Sequence, residues 1–270
     1  MTEKFILPLL RHKRFPCLLI LGLSAIVCGY VLYGFANRIL PSEEETYRAA
    51  GEQLALYGRR DVLACANCHG TQGQGDFDNA VPRLAGLNAE HIIKQLQDFA
   101  RDPIRTRVVL EPISRDYTKT PKVNVDLTVY TPGTRHHETM NAVAKSLTAE
   151  ETRNLALYYS SLAFTATPIP YDFETLARGE DLALRGKPEY GVPACISCHG
   201  PENEGFGPQF PPLAGQPPQY LINQINNWQN GKRDNDHLAL MRNVSNQLTD
   251  GDKVNLAAYL SNLSYQVNVE

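Results

Sequence analysis

Two short stretches decide how this chain of 270 residues folds: Cys65-Ala66-Asn67-Cys68-His69 and Cys195-Ile196-Ser197-Cys198-His199. Cys-x-x-Cys-His is the attachment pattern of c-type haem. Two thiols three positions apart can form thioethers to one porphyrin, and the imidazole of the next residue is then held under the iron as the proximal ligand. Two other chemistries use Cys-x-x-Cys, the redox dithiol and half of a zinc site. A dithiol does not explain the His in both copies. A zinc site needs a second ligand pair, and the other two of the six Cys, Cys17 and Cys28, lie in an apolar N-terminal run.

Outward from the two motifs, the chain repeats itself. Gly51-Glu52-Gln53-Leu54-Ala55-Leu56 matches Gly179-Glu180-Asp181-Leu182-Ala183-Leu184, and Pro82-Arg83-Leu84-Ala85-Gly86 matches Pro211-Pro212-Leu213-Ala214-Gly215. Gln95 and Phe99 match Gln224 and Trp228; Asn154-Leu155-Ala156 and Tyr158 match Asn255-Leu256-Ala257 and Tyr259. The chain therefore reads as two copies of a domain of ~100 residues. Pro168 and Pro170 keep the joint near 163–172 extended. Each copy reads as mostly helix: about 44–57, 88–100 and 149–162 in the first, about 174–185, 217–229 and 250–263 in the second. Thr148-x-x-Glu151 is a capping box, and Thr249-x-x-Asp252 is a weaker version of it. Gly51 and Gly179 let a neighbouring helix come close. Tyr158 and Tyr259 are the aromatics expected against them.

A haem iron that only passes electrons needs a second axial group, and Met raises its potential. Beyond position 1 the chain has two Met, Met140 and Met241, each followed seven residues later by Leu-Thr. A repeated Met is ordinarily core filler; here the count matches the haems one to one. That makes His69 with Met140 and His199 with Met241 the expected metal ligands. His136 and His237, each four residues before its Met, are the competitors for the same role, for bonding a haem propionate, or for an exposed loop. His137 and His91 read as structural or exposed.

The N-terminus is of another kind. Arg11, Lys13 and Arg14 precede an uncharged run from Phe15 to Ala36, about 33 Å as a helix and long enough to span a bilayer. The basic cluster before the run and Glu43, Glu44 and Glu45 after it place residues 1–14 in the cytoplasm and everything beyond about residue 40 outside that membrane. A cleaved signal peptide is the rival, with Gly34-Phe35-Ala36 as a small-x-small cleavage site, but its apolar region is typically shorter, ~7–15 residues. The net charge of −3 argues against a nucleic-acid partner.

Two tandem domains, each with Cys-x-x-Cys-His, then Pro-x-Leu-Ala-Gly, a later Met and a terminal helix carrying Leu-Ala-x-Tyr, resemble the dihaem cytochrome c4 family of class I c-type cytochromes. The resemblance covers about residues 44–263. It implies an all-α fold of two tandem class I cytochrome c domains, 41–163 and 164–270, here behind one transmembrane helix at 15–36. It implies two covalently attached haem c groups with His/Met ligation. It further implies that the carbonyl of Pro82 accepts the His69 ring N–H and that of Pro211 the His199 ring N–H, a bond that fixes imidazole orientation and basicity.

The chain departs from that pattern in one place. His69 to Met140 is 71 residues and His199 to Met241 is 42, which leaves about 28 extra residues between 101 and 136. Val123, Val125, Leu127 and Val129 alternate with period two, a strand pattern. From Arg101 to Arg135 seven basic residues face four acidic ones, a net +3, whereas the rest of each copy is −5. The insert reads either as a docking element or as a loop that tolerates insertion.

The expected function is electron transfer between respiratory complexes, for example from a quinol-oxidising complex to a terminal oxidase, by a single-pass protein of the bacterial inner membrane with its haem domains in the periplasm. The alternative is a cytochrome subunit held in a stable membrane complex, quinol-oxidising or a periplasmic dehydrogenase. A redox enzyme would need an open iron position or an unusual ligand. With a Met for each haem, no catalytic residue is assigned, and the expected partners are redox proteins and the lipid bilayer.

Overall fold

The computed structural model describes residues 41–101, 105–110, 123–128 and 135–264. The expected anchor at 15–36 lies outside them, and among the described residues no helix is long and apolar enough to cross a membrane. The chain divides at Thr46–Tyr47, and both Cys-x-x-Cys-His motifs belong to the second unit, Tyr47–Glu270.

The described residues are mostly helical. The first copy contributes α1 (Glu43–Tyr57), the single turn α2 (Ala66–His69), α3 (Ala89–Ala100), α4 (Glu138–Ser146) and α5 (Ala149–Ser160). The second contributes α6 (Phe173–Arg185), the turn α7 (Ile196–His199), α8 (Pro218–Gln229), α9 (Leu240–Asn246) and α10 (Asp250–Ser261). The insert departs from the all-α expectation. It carries an antiparallel pair, β1 (Arg105–Leu110) and β2 (Val123–Thr128), with Arg105 opposite Thr128 and Leu110 opposite Val123. Val123, Val125 and Leu127 of the period-two alternation thus fall on β2, and Val129 lies outside the described residues.

Each copy has its own core, and the two cores use equivalent residues. Leu54, Ala55, Val62, Leu155 and Ala156 cluster in the first, and Leu182, Ala183, Val192, Leu256 and Ala257 in the second. Helices approach closely at the two glycines. A Cβ on Gly51 would run into the carbonyl oxygen of Asn154 and reach the Cβ of Tyr158; one on Gly179 would meet Asn255 and the Cβ of Tyr259 in the same way. Any side chain there would force the helices apart, so the repeated Gly–Tyr pairing is a packing requirement.

Both final helices start at a complete capping box. Thr148 Oγ1 accepts from Glu151 N–H at 3.1 Å while Glu151 accepts from Thr148 N–H at 2.8 Å. Thr249 and Asp252 exchange the same bonds at 3.2 and 3.0 Å, so the shorter Asp still reaches. In both copies a cation from the turn after the first helix holds that carboxylate: Arg59 on Glu151 at 2.7 Å and Lys187 on Asp252 at 2.5 Å. Arg59 holds the Glu151 carboxyl below the usual range. Burial pushes Asp252 up, but Lys187 and the Thr249 bonds pull it below its ordinary value.

Candidate haem sites

The two motifs form matching turns. Cys65 and Cys195 open α2 and α7 in helical conformation, and their carbonyls accept from His69 and His199 N–H, both at 2.9 Å. One helical turn therefore sets both thiols and the imidazole of each motif. None of the four cysteines is in a disulfide.

His69 and His199 are buried, at 7% and 5% exposure. His69 Nδ1 lies 2.9 Å from the carbonyl oxygen of Pro82, and His199 Nδ1 lies 2.8 Å from that of Pro211. A carbonyl only accepts, so Nδ1 carries the proton and donates. Nε2 is then the bare lone pair of a neutral imidazole, the form that binds a metal. Burial, the main cause, lowers both imidazole pKa values and keeps the rings neutral. The prolines reach this place through a folded-back loop. Gly75 N–H donates to His69 O at 2.8 Å and Gly205 N–H to His199 O at 2.7 Å, both glycines at positive φ. Asp76–Val81 and Phe206–Phe210 then pair as short bridges ahead of Pro82 and Pro211.

Met140 and Met241 are both half-buried in the first turn of α4 and α9. The two approaches differ. In the first copy His137 Nδ1 accepts from Met140 N–H at 3.3 Å and caps α4. In the second, Leu238 and Ala239 precede α9 with φ of 57° and 55°, and α9 has no side-chain cap. His136 is exposed. His91 is buried and bonded to the carbonyl oxygen of Pro208 at 2.9 Å, with its pKa pushed down to about 3, by burial first and nearby cations after.

The residues fit haem. Paired cysteines outside any disulfide, an imidazole oriented through Nδ1 and a repeated Met supply the sulfur and nitrogen donors a covalently attached haem requires. Among the described residues no three or more His, Cys, Asp or Glu converge as a metal site.

Reasoning from the sequence missed the face between the copies. Arg83 is 2% exposed, donates through Nη2 to Ala214 O at 2.7 Å, and lies 3.6 Å from the Phe164 ring centre. Its backbone exchanges bonds with the Gln216 amide, both 3.1 Å. Arg135, counted above with the basic insert, is instead buried and pairs as a bridge with Arg233. It lies over Phe99 as Arg233 lies over Trp228. That equivalence was hidden because Arg135 precedes its Met by five residues and Arg233 by eight. The matching Phe99 and Trp228 were the available signal.

Fold and site together define a two-lobed c-type cytochrome. The cytochrome c family model matches residues 183–264. Over 202 residues the chain is 35% identical to a thiosulfate dehydrogenase electron acceptor from Thiomonas intermedia (strain K12), covering 74% of this chain and 79% of that protein. It is 32% identical to cytochrome c4 from Thiocapsa roseopersicina over 203 residues, 74% of this chain and 87% of that one. Among solved structures, the thiosulfate dehydrogenase TsdBA from Marichromatium purpuratum superposes with a TM-score of 0.64 at 33% identity. That match covers 79% of this chain and 40% of the other, so the chain spans less than half of that dehydrogenase. This chain belongs to the dihaem cytochrome c4 family: it is an electron-transfer cytochrome with two covalently attached haem c groups.

Proposed function

We propose that the protein accepts electrons from an oxidoreductase on the periplasmic face of the inner membrane and passes them to the respiratory chain, tethered by residues 15–36. The observation that carries the reading is the 35% identity, over 79% of its length, to a protein named as the electron acceptor of thiosulfate dehydrogenase. Domains 41–163 and 164–270 each hold one haem, Cys65, Cys68, His69 and Met140 in the first and Cys195, Cys198, His199 and Met241 in the second. Pro82 and Pro211 keep Nδ1 protonated, so each imidazole presents Nε2. Bound haem iron supplies a reversible one-electron couple. The protein around such a couple sets its potential and its access to solvent.

A subunit reading is favoured by the likeness to one part of the longer TsdBA chain. Mild-detergent purification separates the two, because an oxidoreductase co-purifies only with a subunit. The acceptor reading is tested by mixing the oxidised dihaem protein with a thiosulfate dehydrogenase and thiosulfate without oxygen. Reduction of both haems, absent when either component is omitted, is expected. Haems that stay oxidised contradict it.

A further inference from the structure

The two lobes place different polar side chains at one corresponding spot. Tyr159 lies on α5 and is 2% exposed. Its counterpart on α10 is Leu260: Gly86 N–H donates to the Tyr159 carbonyl and Gly215 N–H to the Leu260 carbonyl, both at 2.9 Å. The opposite wall differs as well. Gly73 and Asn203 hold the same turn, with N–H donating to Gly70 O at 3.0 Å and to Gly200 O at 2.9 Å. A Cβ on Gly73 would come within 2.9 Å of the Tyr159 ring. The first lobe therefore combines a bare turn with a tyrosine on the helix, and the second an asparagine in the turn with a leucine on the helix.

The Tyr159 hydroxyl is buried and makes no hydrogen bond. An unpaired buried donor is costly, and such groups are normally satisfied. Beside this one stands Cys65, which packs against the same core cluster and is near enough for the two groups to act on each other. Burial pushes the phenol well above its ordinary value, so the hydroxyl keeps its proton and remains a donor. Cys65 is a haem-attachment residue, and a sulfur in a thioether has no proton of its own and only accepts. In the second lobe Cys195 packs against the matching cluster, where Leu260 has no hydroxyl to offer.

We propose that the Tyr159 hydroxyl donates a hydrogen bond to the thioether sulfur of Cys65 and thereby sets the potential of the first haem apart from that of the second. The proposal rests on the haem-site reading above. Hydrogen bonding around a haem is one of the protein's levers on its potential. A donor on the sulfur draws electron density from the macrocycle joined to it and favours the reduced iron. Sulfur is a weak acceptor, but in a buried site no water competes for the bond. Tyr159 is a positioning residue that acts through the sulfur.

The test uses the full chain with haem attached, as Y159F and as the transplant L260Y with N203G. Haem content comes first, from pyridine haemochromes: fewer than two haems in the unaltered chain would sink the haem-site reading itself, separately from this one. Potentials are then read by spectroelectrochemistry, the first haem being the one that Met140→Ala moves. Y159F keeps the ring against Gly73 and removes only the hydroxyl, so a role in packing alone would leave the potential where it is. The expected result is a fall in the first haem's potential equal to about a two- to tenfold shift in its reduction equilibrium, the size of one hydrogen bond, with the second haem unmoved. The transplant should raise the potential of the second haem. Resonance Raman spectra add a readout that needs no variant: the thioether C–S stretch of the unaltered chain should shift in heavy water. Should Y159F fail to assemble, that deuterium shift decides. Two haems with unmoved potentials in Y159F and a C–S stretch indifferent to deuterium would overturn the proposal. So would an equal displacement of both potentials, which would make Tyr159 a packing residue only.

Discussion

The two lobes solve one problem twice and differ at one step. Their thiol–imidazole turns, proline carbonyls, glycine contacts and capping boxes correspond pair by pair. The approach to the Met does not. In the first lobe a histidine caps α4 three residues before Met140; in the second, Leu238 and Ala239 take left-handed conformations before an uncapped α9. The thiol–imidazole turn is set by bonds local to one motif and therefore matches between the copies. The Met side is reached by a connection of free length, and one lobe carries about 28 residues there that the other lacks.

The largest expected effect tests the shared part. Gly51→Ala and Gly179→Ala each place a Cβ against a backbone carbonyl that cannot turn away. Each should destabilise its own lobe by about 1–3 kcal/mol, read as earlier thermal loss of that haem's visible spectrum. A tolerated substitution in one lobe alone would break the correspondence. Next, Met140→Ala and Met241→Ala should each lower the potential of one haem and leave the other nearly unchanged. Spectroelectrochemistry checks this, and an unmoved potential would mean that Met is not a ligand.

Smaller effects probe the caps and the strain. Thr148→Ala and Thr249→Ala should each cost about 1 kcal/mol in thermal or denaturant unfolding, alike because both boxes are complete. Ala239→Gly should stabilise the second lobe by about 0.5–1 kcal/mol through its left-handed backbone; a loss of stability would show that the conformation carries no strain. Acid should weaken both lobes. Glu151 and Asp252 have carboxyls held below their unfolded values, so their stabilisation is present above about pH 4 and is lost as pH falls through the depressed folded values. Removing Arg59 or Lys187 should move that acid transition upward in the same lobe.

What was legible in the sequence was what repeats. Cys65, His69 and Pro82 have counterparts in Cys195, His199 and Pro211, so spacing alone marked both Cys-x-x-Cys-His turns. Gly51 and Gly179 announced close contact because no side chain can occupy that point. The face between the lobes was not legible. Periodicity reports which side of a helix meets its own core and says nothing of a second lobe, so His91 and Arg83 gave no sign of burial. Arg135 was drowned in the charge of the insert, and unequal spacing to Met140 and Met241 hid its partner Arg233.

The central claim is that both irons are closed and carry electrons without a substrate of their own. Exposing the fully reduced dihaem protein to carbon monoxide tests it most directly. Two haems per chain with visible spectra unchanged by the gas are predicted. Prompt binding at either haem would mean an exchangeable sixth position there, and the reading of this chain as a pure electron carrier would fail.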